Sequence, residues 1–346
     1  MNLQTALGQA IIKLKKSSSP ALDAEVLLAH VLKKDRTYLF ANPKRKLTKL
    51  QATTCKLLIE KRLNHWPIAY LTGHKGFFGL DFIVTPDVLI PRPETETLVE
   101  LAIQNTNYRI PTTIIDVGTG SGNIIISLAK SLPSVILRSE ATKNLTTSRK
   151  RSFAVAQDDT EVQFFAIDSS PGALKIARRN ARRYGVSHKI KFLRGNLLSP
   201  FLQATGYKLQ PTLIIANLPY LPPKQYSSNP DLKHEPRSAL VGGPDGLKYF
   251  RELFHQLSVI LRSEATKNLR ASKKRSFASP LARTQDDGRI ILLLEHDPAQ
   301  EKKLKILARK KILPSQIKSF RDLSGRRRFI AIVTRLRNLA QGISSL

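Results

Sequence analysis

Cysteine and long apolar runs are scarce in this sequence, and each scarcity excludes a class of protein. The single cysteine, Cys55, excludes a disulfide scaffold and a zinc site built from a cysteine cluster. No apolar run approaches the roughly 18–20 residues that a membrane-spanning helix needs. The amino terminus reads as an amphipathic helix without the core or cleavage site of a signal peptide. We therefore expect a soluble protein of a reducing compartment, the cytoplasm.

Acidic residues are also few, and the chain is strongly basic as a result. Its 346 residues include 57 Lys+Arg and 26 Asp+Glu, which gives a formal net charge of +31. Such a charge favours a polyanionic or acidic partner, although it does not indicate a fold. The length exceeds what one compact domain usually needs and predicts about two domains.

A segment of 20 residues occurs twice, at 135–154 and at 259–278. Seventeen of the 20 positions are identical, and both copies continue into a Gln-Asp-Asp sequence. Neither copy has a clean helix or strand period, and two copies do not make a solenoid. We interpret them as a mobile element translated in frame, which inserts about residues 135–161 and 259–289. A duplicated basic RNA-binding loop is the alternative. The insertions carry only six of the 31 excess charges.

The rest of the chain divides by its hydrophobic pattern. Residues 1–75 are predicted to form a helical domain with a net charge of +10: apolar residues follow helical spacing, Ser19-Pro20 starts a second helix and Thr48 caps a third. Residues 76–92 predict a β-hairpin linker. From 93 to 346, helices and strands alternate, which predicts an α/β domain with a parallel sheet. Its strands are predicted at 113–117, 162–167, 189–193, 213–216, 290–295 and 329–334.

A glycine-rich turn follows the first of these strands, with the sequence Gly118-Thr119-Gly120-Ser121-Gly122. Glycines here let backbone N–H groups approach a ligand at the positive end of the next helix, predicted over 123–131. The spacing is neither the dinucleotide pattern nor a Walker loop, so alone it is a weak indication of a nucleoside site.

Asp168 ends the next predicted strand, 46 residues after Gly122. Removal of the 27 residues 135–161 leaves 19, which is close to the spacing of an acidic residue that binds a ribose. The alternative role of Asp168 is to cap the helix that follows.

A second motif, Asn217-Leu218-Pro219-Tyr220, follows the fourth predicted strand. The side-chain carbonyl of Asn217 and the backbone carbonyl of Leu218 can accept both hydrogens of an NH₂ group and direct its nitrogen at an electrophile. Tyr220 can pack on the flat face of that group, and Pro219 holds the turn. A methyl sulfonium is already activated, so catalysis is mostly positioning. The alternative for residues 217–220 is a plain turn after a strand.

The seven histidines lack the spacing of metal ligands, and we expect no metal.

These motifs resemble those of S-adenosylmethionine-dependent amino-methyltransferases. Six further segments are similar to the HemK/PrmC branch, which methylates release factors: residues 23–25, 67–73, 89–96, 234–236, 242–247 and 322–326.

The resemblance implies a Rossmann-like, seven-stranded class I methyltransferase domain after a small helical domain that recognises the protein substrate. Residues 118–122 would wrap the methionine part of S-adenosylmethionine, Asp168 would hold the ribose, and Asn196 with Leu197 would lie near the adenine. Residues 217–220 would hold the side-chain amide of the glutamine in the Gly-Gly-Gln loop of a peptide chain release factor, with Asn217 bordering both ligands. The expected product is N5-methylglutamine, and the expected state is a monomer.

Two positions depart from the family pattern. Leu218 stands where the family has a proline, and Asn196 stands where an aspartate is common. Asn-Leu-Pro-Tyr also resembles the ribosomal-RNA adenine dimethyltransferases, so N6 methylation of adenine in RNA or DNA is the alternative activity. A non-catalytic RNA-binding protein, with the site disabled by the insertions, is a third.

Four other features have a structural interpretation beside a functional one. The segment Pro93-Glu94-Thr95-Glu96 can start a helix, border the pocket, or do both. The arginines of 178–183 predict a solvated basic helix face, and 326–328 predict either a solvated turn or an incidental RNA contact. Trp66 and Tyr70 are expected to pack between the two domains, and a platform on which a base stacks is the alternative.

Overall fold

The computed structural model describes residues 1–106, 112–132, 162–203, 211–274 and 289–335. The predicted insertion at 135–161 therefore lies outside the described residues, as do residues 275–288 of the one at 259–289; Arg289 is described and begins a strand. In the part described, no helix is both long enough and apolar enough to cross a membrane.

Helices and strands follow one another in two groups. The helices are α1 (Leu3–Lys13), α2 (Pro20–Leu32), α3 (Arg36–Ala41), α4 (Lys49–Leu63), α5 (Ile68–Thr72), α6 (Glu96–Asn105), α7 (Asn123–Ser131), α8 (Pro171–Arg183), α9 (Ser199–Gln203), α10 (Pro223–Ser227), α11 (Lys248–Lys274) and α12 (Glu301–Ile312). The strands are β1 (His74–Phe77), β2 (Leu80–Ile83), β3 (Thr112–Val117), β4 (Val162–Asp168), β5 (Ile190–Arg194), β6 (Pro211–Asn217), β7 (Arg289–Glu295), β8 (Gln316–Arg321) and β9 (Arg327–Arg335).

The amino-terminal helices pack around a small apolar core of their own. Leu27 and Leu28 of α2 are fully buried and meet the apolar faces of α1 and α4. Proline at the first position starts α2, and Thr48 with Gln51 forms a capping box at the start of α4. The three predicted helices are found, whereas α3 and α5 have six and five residues and are too short to produce a period.

The second group forms a seven-stranded sheet in the order β5-β4-β3-β6-β7-β9-β8. The first five strands are parallel, while β9 pairs antiparallel with both β7 and β8. The predicted seven-stranded α/β fold is therefore confirmed. The edge strand β8 has the sequence QIKSFR, with few apolar residues, which is why the hydrophobic pattern did not indicate it.

The parallel strands bring their carboxyl ends to one edge of the sheet, where ligands bind in folds of this type. The glycine turn follows β3, Asp168 ends β4, Asn217 ends β6 and Glu295 ends β7. Segments far apart in the sequence thus meet there.

The hairpin β1–β2 packs on the sheet domain rather than standing free between two domains. Phe77 and Phe82 are buried in the sheet's core, and the Asp81 N–H donates to the Tyr184 hydroxyl at 2.6 Å. The hairpin begins at His74, two residues before the predicted linker.

Helix α11 continues through the predicted start of the second insertion at 259. Ile260 and Leu261 are 6% and 0% exposed and belong to the core beneath the sheet. Although the repeat shows no clean helical period, its second copy is helical over 259–274. Ile260 and Leu261 pack in the core, whereas Val259 is exposed.

Candidate active site

The turn after β3 has a backbone that favours glycine at three positions. Gly118, Gly120 and Gly122 have φ angles of 75°, 55° and 81°, in the left-handed region. A Cβ on Gly122 would lie 3.2 Å from the Cβ of Ala177 in α8, so this glycine also permits close packing of α7 against α8. The buried Asn180 side chain donates to the Ser121 carbonyl at 2.9 Å and fixes the turn from behind.

Asp168 connects the glycine turn to the start of α8. Its Oδ2 accepts from the Gly120 N–H and its Oδ1 from the Ser170 N–H, both at 2.9 Å. Burial raises the pKa of this carboxyl group above its usual value. The hydroxyl of Ser170 caps α8 by accepting from the Ala173 N–H at 3.1 Å, so the cap is Ser170 and not Asp168.

A narrow cavity of about 120 Å³ runs along this edge of the sheet and is called the slot below. This volume is below the roughly 300–1,000 Å³ that is usual for ligand sites. The predicted site residues in its lining are Gly118, Gly120, Asp168, Asn196, Leu197, Asn217, Leu218 and Pro219. Thr119, Ser121 and Gly122 are not in that lining. The first two are almost fully buried behind it, and Thr119 donates to Asp116 at 2.7 Å.

The far end of the slot is held by a residue that the sequence did not indicate. Leu197 has a φ of 55°, a conformation that is uncommon outside glycine. Gln256 stabilises it: its Oε1 accepts from the Leu198 N–H at 2.7 Å, and its Nε2 donates to the Asn196 carbonyl at 3.3 Å. Gln256 lies within the long helix α11, where nothing in the local sequence distinguishes it.

Asn217 has its side-chain amide fixed by a neighbouring hydroxyl group. Its Nδ2 donates to Thr95 Oγ1 at 3.1 Å, and that hydroxyl donates to Glu295 Oε2 at 2.7 Å. The 3-10 helix Pro93–Thr95 leads directly into α6, so this segment both starts a helix and borders the site. Because Thr95 occupies the Nδ2 side, Oδ1 is the atom of Asn217 available to a ligand donor.

The turn at 218–220 is held from outside by two glycines. A Cβ on Gly242 would lie 2.3 Å from the Pro219 carbonyl oxygen, and one on Gly246 would lie 2.1 Å from that of Tyr220. Gln300 also donates to the Tyr220 carbonyl at 2.8 Å. Leu218 is 2% exposed and packs in the core. Its side chain therefore contributes apolar packing, while the backbone of Gly242 and Gly246 restrains the turn.

Glu295 and Tyr220 form a buried polar pair beside Asn217. Tyr220 Oη lies 3.3 Å from Glu295 Oε1. Burial raises the pKa of Glu295 to about 7 and that of Tyr220 above its usual value. The positive charge of Arg328 opposes this rise in the pKa of both groups, and Arg328 also forms an ion pair with Asp322 at 3.1 Å. The prediction of a solvated turn therefore holds only for Arg326, because Arg327 and Arg328 begin strand β9; Arg327 is exposed there and Arg328 is partly buried.

A wider cavity of about 640 Å³ lies on the other side of Asn217. Helical-domain residues such as Arg62 and Ile68 form one wall, and the ion pair between Arg92 and the buried Glu235 forms another. The two cavities share Leu89, Asn217, Leu218, Pro219 and Ala239 in their linings. Asn217 thus lies where they meet.

Trp66 lies where the amino-terminal helices contact the region that contains the sheet. Its ring stacks on that of His234, with centroids 4.5 Å apart. His234 Nε2 donates to the Asn64 carbonyl at 2.8 Å, and the Tyr70 hydroxyl donates to the Val88 carbonyl at 2.5 Å. The solvated arginine face of α8 is also confirmed. Within the described ranges, no three His, Cys, Asp or Glu side chains form a group that could hold a metal.

Comparison with known proteins decides the family. Residues 5–73 match the family described as PrmC N-terminal domain, and 95–230 match the RMKL-like methyltransferase domain. The chain is 37% identical over 265 residues to the release factor glutamine methyltransferase of Moorella thermoacetica, covering 76% of this chain and 82% of that protein. The chain belongs to the release factor glutamine methyltransferase family.

Another member is that of Vibrio cholerae, which is 36% identical and is covered over 78% of its length, with 73% of this chain matched. A crystal structure of the protein-(glutamine-N5) methyltransferase (release factor-specific) from Alicyclobacillus acidocaldarius is 23% identical. Its TM-score is 0.34 over 73% of this chain and 99% of that one.

Proposed function

We propose that this family member transfers a methyl group from S-adenosylmethionine to the side-chain amide nitrogen of the glutamine in the Gly-Gly-Gln loop of a peptide chain release factor. The observation that carries the proposal is the position of Asn217 at the junction of the slot and the wider cavity. The slot is lined by the glycine turn and Asp168, the residues expected to hold a nucleoside, and the wider cavity opens towards the amino-terminal helices. A group held by Asn217 from the wider cavity faces the slot.

The chemistry of the slot fits S-adenosylmethionine, which supplies a methyl group already activated as a sulfonium. The carboxylate of Asp168 would accept the ribose hydroxyl groups. A Cβ on Gly120 would meet no atom within 4 Å, so the absent side chain leaves room for a ligand beside the turn. Asn196 and Leu197 would border the adenine, and an Asn side chain can both donate and accept there. Thr119, Ser121 and Gly122 would act indirectly, by keeping the turn in shape.

The substrate amide would be held by two oxygens. Asn217 Oδ1 and the Leu218 carbonyl would each accept one hydrogen of the glutamine NH₂ group, which aligns the nitrogen lone pair with the methyl carbon. An amide nitrogen is a poor nucleophile, and the two oxygens stabilise its hydrogens as positive charge develops. The new C–N bond forms as the C–S bond breaks, and the nitrogen then loses a proton. Tyr220 would pack on the amide, and Pro219 would hold the turn.

We assign substrate recognition to the helices before the hairpin, which begins at His74, and methyl transfer to the region from residue 93 on. One insertion is assigned to about 135–161, and a second is placed after Leu261 and before β7, which begins at Arg289. The charge of +10 on residues 1–75 suits an acidic patch on the release factor. We further propose that the protein acts as a monomer in the cytoplasm, with at most incidental RNA contact.

One labelling experiment tests the activity. The protein is incubated with methyl-labelled S-adenosylmethionine and either release factor or ribosomal RNA. We expect label in the release factor, and none when its glutamine is changed to glutamate. Label in the RNA would favour the adenine methyltransferase instead. Failure to bind S-adenosylmethionine in calorimetry would favour a non-catalytic RNA-binding protein.

A further inference from the structure

We infer that Thr95 and Glu295 are positioning residues that decide which end of the Asn217 amide faces the substrate. The inference deepens the proposed function and rests on it for its consequence, the rate of methyl transfer. Neither residue has to touch the substrate for this role. Both act through a chain of hydrogen bonds that ends at Asn217.

This chain of hydrogen bonds is short and buried, and it connects residues that are far apart in the sequence. Glu295 and Thr95 are each 1% exposed, and their oxygens are 2.7 Å apart. Thr95 Oγ1 is in turn 3.1 Å from Asn217 Nδ2. Asn217 and Glu295 are neighbours in the sheet, and Thr95 reaches both from the 3-10 helix that precedes α6. Water has little access to this chain, so its partners cannot easily be replaced.

The polarity of the chain follows from what each group can donate. An ionised carboxylate only accepts hydrogen bonds, so Glu295 takes the single hydroxyl hydrogen of Thr95. The Thr95 oxygen can then only accept, and it takes a hydrogen from Asn217 Nδ2. This fixes Oδ1 as the acceptor for the substrate. If the hydroxyl were free to donate to Oδ1, the amide could turn over and present NH₂ to the substrate's own NH₂.

The groups around Glu295 maintain this polarity. Tyr220 Oη lies 3.3 Å from the other carboxylate oxygen, so both oxygens act as acceptors. The positive charge of Arg328 favours the ionised form, while Glu94 opposes it. Burial nevertheless raises the pKa of Glu295 to about 7. The carboxylate therefore becomes protonated as the pH falls through neutrality, and the fixed orientation of Asn217 is lost in that direction.

Substitutions at Thr95 test the chain with little change of shape. Thr95→Val removes the hydroxyl and should lower kcat at least about tenfold, with the KM for S-adenosylmethionine within about twofold of the wild type. Thr95→Ser keeps the hydroxyl and should restore kcat to within about threefold. Thr106→Val is the matched control: this buried threonine directly follows α6, its hydroxyl donates to the Ala102 carbonyl at 2.7 Å, and loss of that hydroxyl should leave kcat unchanged.

A pH profile separates positioning from mere packing. The wild-type kcat should fall at least about fivefold between pH 8 and pH 6, as Glu295 is protonated. Glu295→Gln cannot titrate and should lack this fall. A purely structural Glu295 would leave the fall in place in the variant and lower stability instead. Wild-type kcat in Thr95→Val, or an unchanged profile in Glu295→Gln, would overturn the inference.

A measurement without turnover distinguishes its failure from that of the proposed function. In protein labelled with ¹⁵N-asparagine, the Asn217 side-chain NH₂ signal should shift with pH in the wild type and not in Thr95→Val. If this shift is seen but glutamine is not methylated, the positioning chain stands and the proposed activity fails. If glutamine is methylated and Thr95→Val changes neither kcat nor the NH₂ signal, the activity stands and the positioning chain is wrong.

Discussion

Asn217 and Glu295 are directly paired residues at the carboxyl ends of the neighbouring parallel strands β6 and β7. The hydroxyl of Thr95 bridges their side chains. Asn217 alone belongs to a recognisable motif, yet the orientation of its amide depends on the other two. The site is therefore a property of the sheet edge as a whole, and substitutions there should separate binding from turnover.

The first prediction concerns Asn217 itself. Asn217→Ala removes one of the two oxygens proposed to hold the substrate amide. Loss of a single such group costs about 10²–10³ in kcat in comparable sites, and we expect a fall of that order. The dissociation constant for S-adenosylmethionine, measured by calorimetry, should change far less. Asn105→Ala, which removes a half-buried amide at the end of α6, serves as the control. Equal losses in turnover and cofactor binding would contradict the role given to Asn217.

The second prediction compares two glycines with similar backbones. Gly246 and Gly325 have φ angles of 72° and 79°, but only a Cβ on Gly246 meets other atoms, at 2.0 Å from Gln300 Nε2 and 2.1 Å from the Tyr220 carbonyl oxygen. Gly325→Ala should cost about 1–2 kcal/mol in the free energy of unfolding, the usual penalty for this conformation.

Gly246→Ala should cost at least about 2 kcal/mol more, because overpacking adds to the same backbone penalty. It should also lower kcat, since Tyr220 must shift, whereas Gly325→Ala should not. Urea unfolding and steady-state kinetics measure both effects. Equal stability of the two variants would show that the turn at 218–220 can move away from the added Cβ without a cost in stability.

Local patterns predicted the parts of the site that depend on neighbours in the chain. The glycine turn, Asp168 and the Asn217 motif all follow apolar strands, so their placement at one sheet edge could be derived. The structure agrees, with strand limits within two residues of the prediction. The role of Asp168 as ribose ligand remains a prediction.

Residues that act through partners far away in the sequence could not be predicted from local sequence patterns. Glu295 bonds to a residue 200 positions away, Gln300 to one 80 away and Gln256 to one 58 away. No short pattern carries that information, since each reads as an ordinary polar residue in a helix or at the end of a strand. A polar side chain directly after a buried parallel strand was the one available signal, and it applies to Glu295.

The third prediction uses a buried carboxyl group beneath the glycine turn. Asp116 is fully buried, its Oδ1 has no hydrogen-bond partner among the described residues, and burial raises its pKa to about 7. The folded state then binds this proton more tightly than the unfolded state, so the contribution of Asp116 to stability falls as the pH rises from about 4 to about 7.

Asp116→Asn should therefore increase the free energy of unfolding at pH 8 by about 2 kcal/mol, less than the full pKa shift would give, and have little effect at pH 4. Asp245 should have the opposite effect on stability, because the hydrogen bond from Arg251 lowers its pKa to about 2. Asp245→Asn should destabilise the protein at pH 8. Thermal unfolding of the cofactor-free variants across this range measures both. A stabilisation by Asp116→Asn that is independent of pH would exclude ionisation as its cause.

The last prediction tests the seam between the two domains. Trp66 and His234 stack beside the wider cavity, and His234 also holds the end of α4 through Asn64. Trp66→Ala should loosen the helical domain against the sheet domain and raise the KM for release factor about five- to tenfold. The KM for S-adenosylmethionine should stay constant, because the slot lies on the far side of Asn217.

In a double-mutant cycle, Trp66→Ala and His234→Ala should show a coupling of about 0.5–1.5 kcal/mol in binding to the release factor. Additive effects would mean that the two rings bind the substrate separately, and that their stacking does not position the domain.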